Sequence, residues 1–550
     1  MRRFRHIGKG VRLSQSVSGK PGGGLQGGPP NRQEEQMALA YDAPANPQAA
    51  SGPDVAILGA GVAGICTAIK LKQAGIHNFT IYEKASEIGG TWRDNTYPGC
   101  SCDVPLHMYQ FSFDMRPTWT KKYVFAADIK AYLESVVDKY GLRGHIRFNT
   151  EIDDARFDEQ SGIWTLKSGE QSFTAHVVAA GTGQLHRPVW PDIKGRETFR
   201  GDHWHSAQWN HNVDLKGKRI AVIGNGASAI QFVPEIAKEA GSVTIFQRSA
   251  SWVLPRPQRE FHGWEKALYK ALPWTMNIQR WKIYWFGELL FRTFHTSGDK
   301  LKQMGIDEME LYVSDPEKKR KLTPDYEPGC KRVLFANDWW PAMGMDHVDV
   351  VTDGIDEITP TGIKTKDGAL RDFDIIVYST GFDTTHFLGP MSMKGIAGRD
   401  LKDAWKTGAE AHHGMTVAGF PNFFMLYGPN TNLGHNSIIF MIECQANYIT
   451  QCVKKIRDDN LLYLDVKPEA QRASNESVQA DNANSVFASG CTSWYKTESG
   501  KVTNNWANYT FKYWWRTRRP DFAEYNLRTR TEVPQGAGAE GVGSRAAAAE

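Results

Sequence analysis

The chain has 550 residues, 41% of them hydrophobic, and a formal net charge of +4. That length allows a large core and two or three domains, while Lys and Arg are scattered rather than striped, which excludes nucleic acid as a partner. Seven cysteines in so long a chain, with no Cys-x-x-Cys spacing, argue against a disulfide framework and predict reduced thiols and a cytoplasmic location.

Residues 1–50 read as a disordered tail that is basic at its start and rich in Gly and Pro. An organelle-targeting segment is the alternative. A strand over 54–58, a helix over 62–74 and a strand over 79–83 open the ordered chain. A strand-rich stretch runs from 146 to 180. Strand 219–223, helix 228–240 and strand 243–247 then repeat the opening pattern. Residues 260–325 are aromatic, charged and helical in period. Within them, Leu272 to Phe294 is rich in aromatics but carries Arg280, Lys282, Glu288 and Arg292, so it predicts a helix and no membrane span. Strands return at 348–352, 374–379 and 423–427, and a helix follows at 437–457. Residues 534–550 read as a second floppy tail.

This order predicts an α/β protein with two Rossmann-like dinucleotide-binding domains and a helical insertion. The first domain takes 51–185 and 376–533, the second takes 186–252 and 329–375, and the insertion takes 253–328. Each domain opens on a glycine fingerprint between strand and helix. The first is Gly59-x-Gly61-x-x-Gly64. The second is Gly224-Asn225-Gly226-x-Ser228-Ala229. In such a turn, backbone N–H groups and a helix N-terminus approach a pyrophosphate. Ser228 is placed either to bond a phosphate or to cap the helix.

The strand ends give the two turns opposite charge logic. Glu83 closes the second strand of the first unit, where a carboxylate takes ribose hydroxyls, so an unphosphorylated ribose such as that of FAD is expected there. The second unit has Gln247, Arg248 and Ser249 at that place. Arg248 suits a 2′-phosphate, which a carboxylate would repel, so NADPH is expected. An exposed structural arginine is the competing reading. The adjacent His412 and His413 are expected to face different ways, and no metal site is read.

Phe199-x-Gly201-x-x-x-His205-x-x-x-Trp209 resembles the signature of the type I Baeyer–Villiger monooxygenases, with Asn210 where that family usually has Pro or Asp. The segment Gly89-Gly90-Thr91-Trp92 through Tyr97-Pro98-Gly99 to Asp103 resembles the family's second signature. The resemblance spans about residues 53 to 520. It implies that Thr91, Trp92, Asp103 and Tyr109 contact FAD beside Gly59, Gly61, Gly64 and Glu83. It implies that Arg332 reaches the flavin and that Lys331 joins Arg248 on the 2′-phosphate. It also places Trp494 against the nicotinamide cofactor. The implied reaction passes hydride from NADPH to FAD, captures O2 as a flavin C4a-peroxide and converts a ketone to an ester or lactone. Arg332 would stabilise the developing anion, and Asp103 would orient its guanidinium.

Asp103 as a turn cap, Arg332 as an ion-pair member, Trp209 as packing, and His205 as either a conformational element or a backbone hydrogen-bond partner are the competing readings. An N- or S-oxygenating flavin monooxygenase is the alternative activity, and a catalytically silent dinucleotide-binding protein is the alternative class. The aromatic content of 260–325 and 490–523 suggests that these segments wall the pocket and that the substrate is a lipophilic ketone. No oligomeric state is read.

Overall fold

Ten short strands explain most of the architecture. The computed structural model describes residues 52–530 apart from Ser297 and Thr492, so both expected tails lie outside the described residues. The strands are β1 (Val55–Leu58), β2 (Phe79–Tyr82), β3 (Ile146–Arg147), β4 (Val177–Ala180), β5 (Asp202–His205), β6 (Arg219–Ile223), β7 (Ser242–Phe246), β8 (Val348–Val351), β9 (Ile375–Tyr378) and β10 (Phe423–Met425). They form two five-stranded sheets of order β10-β4-β1-β2-β3 and β8-β7-β6-β9-β5. Every pairing within both sheets is parallel.

Parallel strands covered on both faces read as continuous apolar runs. Every residue of β1 (Val-Ala-Ile-Leu) and β4 (Val-Val-Ala-Ala) is buried. Helix α1 (Val62–Gln73) follows β1, and helix α2 (Ala229–Ile236) follows β6. Ile65 and Ile69 of α1 share a core with Ile449 and Val453 of a later helix, Ile438–Asp458. Phe232 and Val233 of α2 pack with Trp339 and Trp340 in the core of the second sheet.

Two expectations about chain organisation need correction. The boundary placed between 375 and 376 cuts β9, which pairs with β5 and β6 in the second sheet, so that domain extends past Tyr378. The thiols are not all reduced: Cys330 and Cys491 form a disulfide across 161 residues of sequence. The other five cysteines are free and buried.

The insertion is helical, with Gly263–Ala271, helix α3 (Thr275–Thr296), Gly298–Glu310 and Pro316–Leu322 in succession. Among the described residues, no helix is long and apolar enough to cross a membrane. A further helix, α4 (Thr510–Thr517), returns to lie against α3, where Glu288 accepts a hydrogen bond from the Thr510 N–H at 3.0 Å.

Candidate functional site

Both glycine turns open onto one cleft of about 1300 Å3. Gly59 and Gly224 sit at φ +98° and +107°, a region that L side chains avoid. A Cβ on Gly59 would stand 2.9 Å from the Gly181 carbonyl oxygen. A Cβ on Gly64 would be driven into the carbonyl oxygen of Gly59, so α1 can approach β1 only because that position is glycine. In the second turn a Cβ on Gly224 would strike the Ser379 carbonyl oxygen, whereas one on Gly226 meets nothing within 4 Å. The space beyond Gly226 is open cleft, as a ligand phosphate requires. Ser228 lines the cleft and makes no side-chain cap to α2.

Glu83 at the end of β2 is buried. Its carboxylate accepts the Ala60 and Ala85 N–H groups at 2.8 and 2.9 Å and an Arg93 N–H at 2.9 Å. A carboxylate offers about four lone-pair sites, which leaves one for a ribose hydroxyl. The second turn is built differently. Gln247 accepts from Asn225 Nδ2 at 2.6 Å and donates to the Lys321 carbonyl at 2.8 Å, fixing the strand end without charge. Arg248 is exposed and forms no ion pair among the described residues. Lys331 Nζ donates to Ser249 Oγ at 2.6 Å. Burial, aided by the neighbouring Arg248 cation, holds the Lys331 ammonium below its ordinary pKa. Neither cation forms an ion pair among the described residues, although Asp325 lies near enough to Lys331 to oppose the effect of burial, and such a pair of cations suits a phosphate dianion.

Between the two turns, Arg332 donates to Asp103 Oδ2 at 2.6 Å. The Asp103 carboxylate raises the Arg332 guanidinium above its usual value, against the opposing effect of burial. Asp103 is placed by a latch from the other sheet. Gln231 of α2 accepts the Ser101 N–H at 3.1 Å and donates to the Ser101 carbonyl at 3.0 Å, and Tyr97 Oη donates to the Gln231 amide oxygen at 3.1 Å. Arg332 is placed by the short strand Leu334–Phe335, which pairs with Val253–Leu254 and so joins the two ends of the insertion.

The disulfide adds a second constraint. Cys330 precedes Lys331, and Cys491 lies shortly before Trp494, whose carbonyl accepts from Thr384 Oγ1 at 3.2 Å and Asn504 Nδ2 at 2.7 Å. Trp92 Nε1 donates to Tyr109 Oη at 3.2 Å. Thr91, Trp92, Asp103, Tyr109, Asn225, Arg248, Ser249, Lys331, Arg332 and Trp494 all line the cleft.

The linker signature is elsewhere. Phe199 is packed in the core on one face of the second sheet, and Trp209 packs edge-on to Trp204 and at a tilt to Phe232 on the other. A Cβ on Gly201 would meet the Asp374 carbonyl. His205 ends β5 and is fully buried, and its Nδ1 accepts the Ala207 N–H at 3.1 Å. Burial pushes its pKa down to about 4, so it stays neutral and serves as a cap. Gly64 and Ala229 shape their turns without lining the cleft.

Two further expectations change. Among the described residues, none from 260–325 lines the main cleft, and only Ser493 and Trp494 do so from 490–523. Phe291 instead borders a small cavity behind Arg332. The rings of His412 and His413 do not diverge, because a φ of +52° at His413 turns its ring back to 3.9 Å from its neighbour. Gln231 and its partner Ser101 were not read from the sequence. Lone polar residues inside apolar helices or loops carry no local signature; only the contact across sheets identifies them.

Residues 56–271 match the family model of pyridine nucleotide-disulphide oxidoreductases. A Baeyer–Villiger monooxygenase of Streptomyces coelicolor is 42% identical over 481 residues, covering 86% of this chain and 92% of the relative. A solved structure of OTEMO in complex with FAD and NADP superposes with a TM-score of 0.78 at 25% identity, covering 87% of this chain and 99% of its own. Cyclohexanone monooxygenase from Rhodococcus sp. Phi1, bound to NADP+, gives a TM-score of 0.78 at 26% identity, over 87% and 99% of the two chains.

Proposed function

Because this chain belongs to the Baeyer–Villiger monooxygenases, we propose that its cleft receives a lipophilic ketone and that Arg332 and Asp103 govern the oxygen insertion. The enzyme depends on FAD and NADPH and places one oxygen atom of O2 beside a ketone carbonyl, giving an ester or lactone. FAD reduced by NADPH supplies the activation of O2. The first turn, with Gly59, Gly61, Glu83, Thr91, Trp92 and Tyr109, is suited to hold FAD. The second turn, with Gly224, Asn225, Gly226, Ser228 and Ser249, is suited to NADPH, and Arg248 and Lys331 would grip its 2′-phosphate while Trp494 covers the nicotinamide.

The observation that carries the reading is the Arg332–Asp103 pair at 2.6 Å, set between the two turns. As a guanidinium Arg332 is charged at every working pH, and Asp103 against it strengthens that preference. A fixed guanidinium stabilises negative charge as it grows on the ketone oxygen, without first reorganising. Asp103 fixes the direction of the fork, not the supply of a proton. N- or S-oxygenation needs an electrophilic, neutral oxidant, which a permanent cation disfavours.

The test is a panel of lipophilic ketones given to the FAD-loaded protein with NADPH. Ester or lactone should appear in step with NADPH consumed. Complete diversion of electrons to hydrogen peroxide with every ketone overturns the proposal.

A further inference from the structure

Helix α3 buries two charged side chains and exposes a row of rings, although Met276 and Phe291 are also buried. A helix on a globular surface ordinarily turns its apolar stripe to the core. Here Arg280 is buried and donates to the carbonyls of His107 and Gln110, each at 2.9 Å. Glu288 is buried and accepts from Asn436 Nδ2 at 3.0 Å. The opposite face carries Ile278, Trp281 and Trp285 at helical spacing, with Phe286 beside them and Trp274 in the turn just before the helix, and all are exposed. Trp281 is 64% exposed and Phe286 65%. Helix α4 extends the surface: its Phe511 ring lies 6.3 Å from that of Trp285, and Trp514 and Trp515 follow, both exposed. Two segments distant in sequence therefore build one aromatic face.

The exposed charges on α3, on α4 and directly after α4 are cations. Lys282, Lys512, Arg518 and Arg519 are exposed, while Glu288, the acid within 275–296 and 509–520, is buried; the next acid along the chain, Asp521, is exposed. Tryptophan sits at the headgroup level of a bilayer, and Lys or Arg beside it extends toward lipid phosphates. Since α3 is not apolar enough to span, it can only lie along the surface. A second copy of the chain fits poorly, because an isologous contact would press these cations against themselves.

We propose that the α3–α4 face docks the protein onto an anionic lipid bilayer. Asn436, held by Glu288, also lines the cleft, so docking sets a cleft wall close to the lipid.

Flotation of the full-length, FAD-loaded protein tests this, using phosphatidylcholine vesicles with and without phosphatidylglycerol. The protein should float with the anionic vesicles, float less with the neutral ones, and be released by salt. Tryptophan fluorescence should shift to the blue on binding. A Trp281→Ser, Phe286→Ser, Trp514→Ser triple variant should stay in solution while keeping soluble NADPH oxidation. A Lys282→Glu, Lys512→Glu variant should lose more than about tenfold in vesicle affinity. Failure of the wild-type protein to float with anionic vesicles overturns the proposal. So does a triple variant that floats as well as wild type. So does a wild-type dimer without vesicle binding that the triple variant converts to monomer.

Discussion

The two glycine turns share a backbone and differ in how they treat charge. In the first, the strand-end acid Glu83 is buried, tied to two backbone N–H groups and neutralised by Arg93. In the second, the strand end is the neutral Gln247, and the charge sits beyond it on Arg248 and Lys331. The first turn is closed and keeps room for a small hydroxyl, whereas the second is left open and cationic, as the proposed 2′-phosphate contact would require. The packing differs in the same sense: Gly64 permits close contact of α1 with β1, while Ala229 stands at the equivalent place in the second turn. On the proposed assignment, one backbone recipe would serve two nucleotides, with a few side chains at each strand end choosing between them.

The sharpest way to break this comparison is at Gly64. A methyl group there collides with the Gly59 carbonyl, so Gly64→Ala should abolish recovery of FAD-loaded protein. Absorbance of the purified variant at flavin wavelengths checks it; a normal yellow protein would mean that α1 tolerates a wider spacing. The next largest effect belongs between the turns. Arg332→Ala should still allow NADPH to reduce the flavin, yet lose on the order of a hundredfold to a thousandfold in ester formation. Stopped-flow reduction together with product yield separates the two steps.

A third change sharpens the contrast of charge. Arg248→Ala should raise the KM for NADPH about tenfold to a hundredfold, as expected when a charge-assisted hydrogen bond is lost, and leave that for NADH nearly unchanged. The mirror change at Glu83 has no such selectivity, because Glu83 also holds the backbone of its own turn. The smallest effect is read in pH. His205, in the second sheet, has its folded pKa pushed down to about 4 against an unfolded value of 6.5. Between those values only the unfolded chain binds the proton, so stability falls as pH drops from about 6.5 to about 4. His205→Asn keeps an acceptor for Ala207 N–H and should show a shallower loss of thermal midpoint over that window.

Most of the nucleotide scaffold was legible because it rests on local rules. Fully apolar strands, glycines at left-handed positions and the residue closing each second strand lie within a short stretch of sequence. The residues of the cleft could be named for the same reason, Asp103 and Arg332 through motifs that resemble a family. What was missed depends on distant contacts. The Gln231 latch joins α2 to a loop of the other unit. The Cys330–Cys491 bond joins residues with no telling spacing. The aromatic insertion misled because aromatic content signals burial or binding alike; Trp264, Trp274, Trp281, Trp285 and Phe286 are exposed, Tyr269 and Phe291 are buried, and among the described residues none of the insertion's rings lines the main cleft.

Those two cysteines have a mechanical consequence. They weld the Lys331–Arg332 stretch to the loop bearing Trp494, so any swing of one must drag the other along. Fingers proposed for opposite ends of the same nucleotide then travel as a single jaw. Dithiothreitol in a storage buffer would unhinge that jaw, and kinetic constants gathered with and without it would describe two mechanically different enzymes.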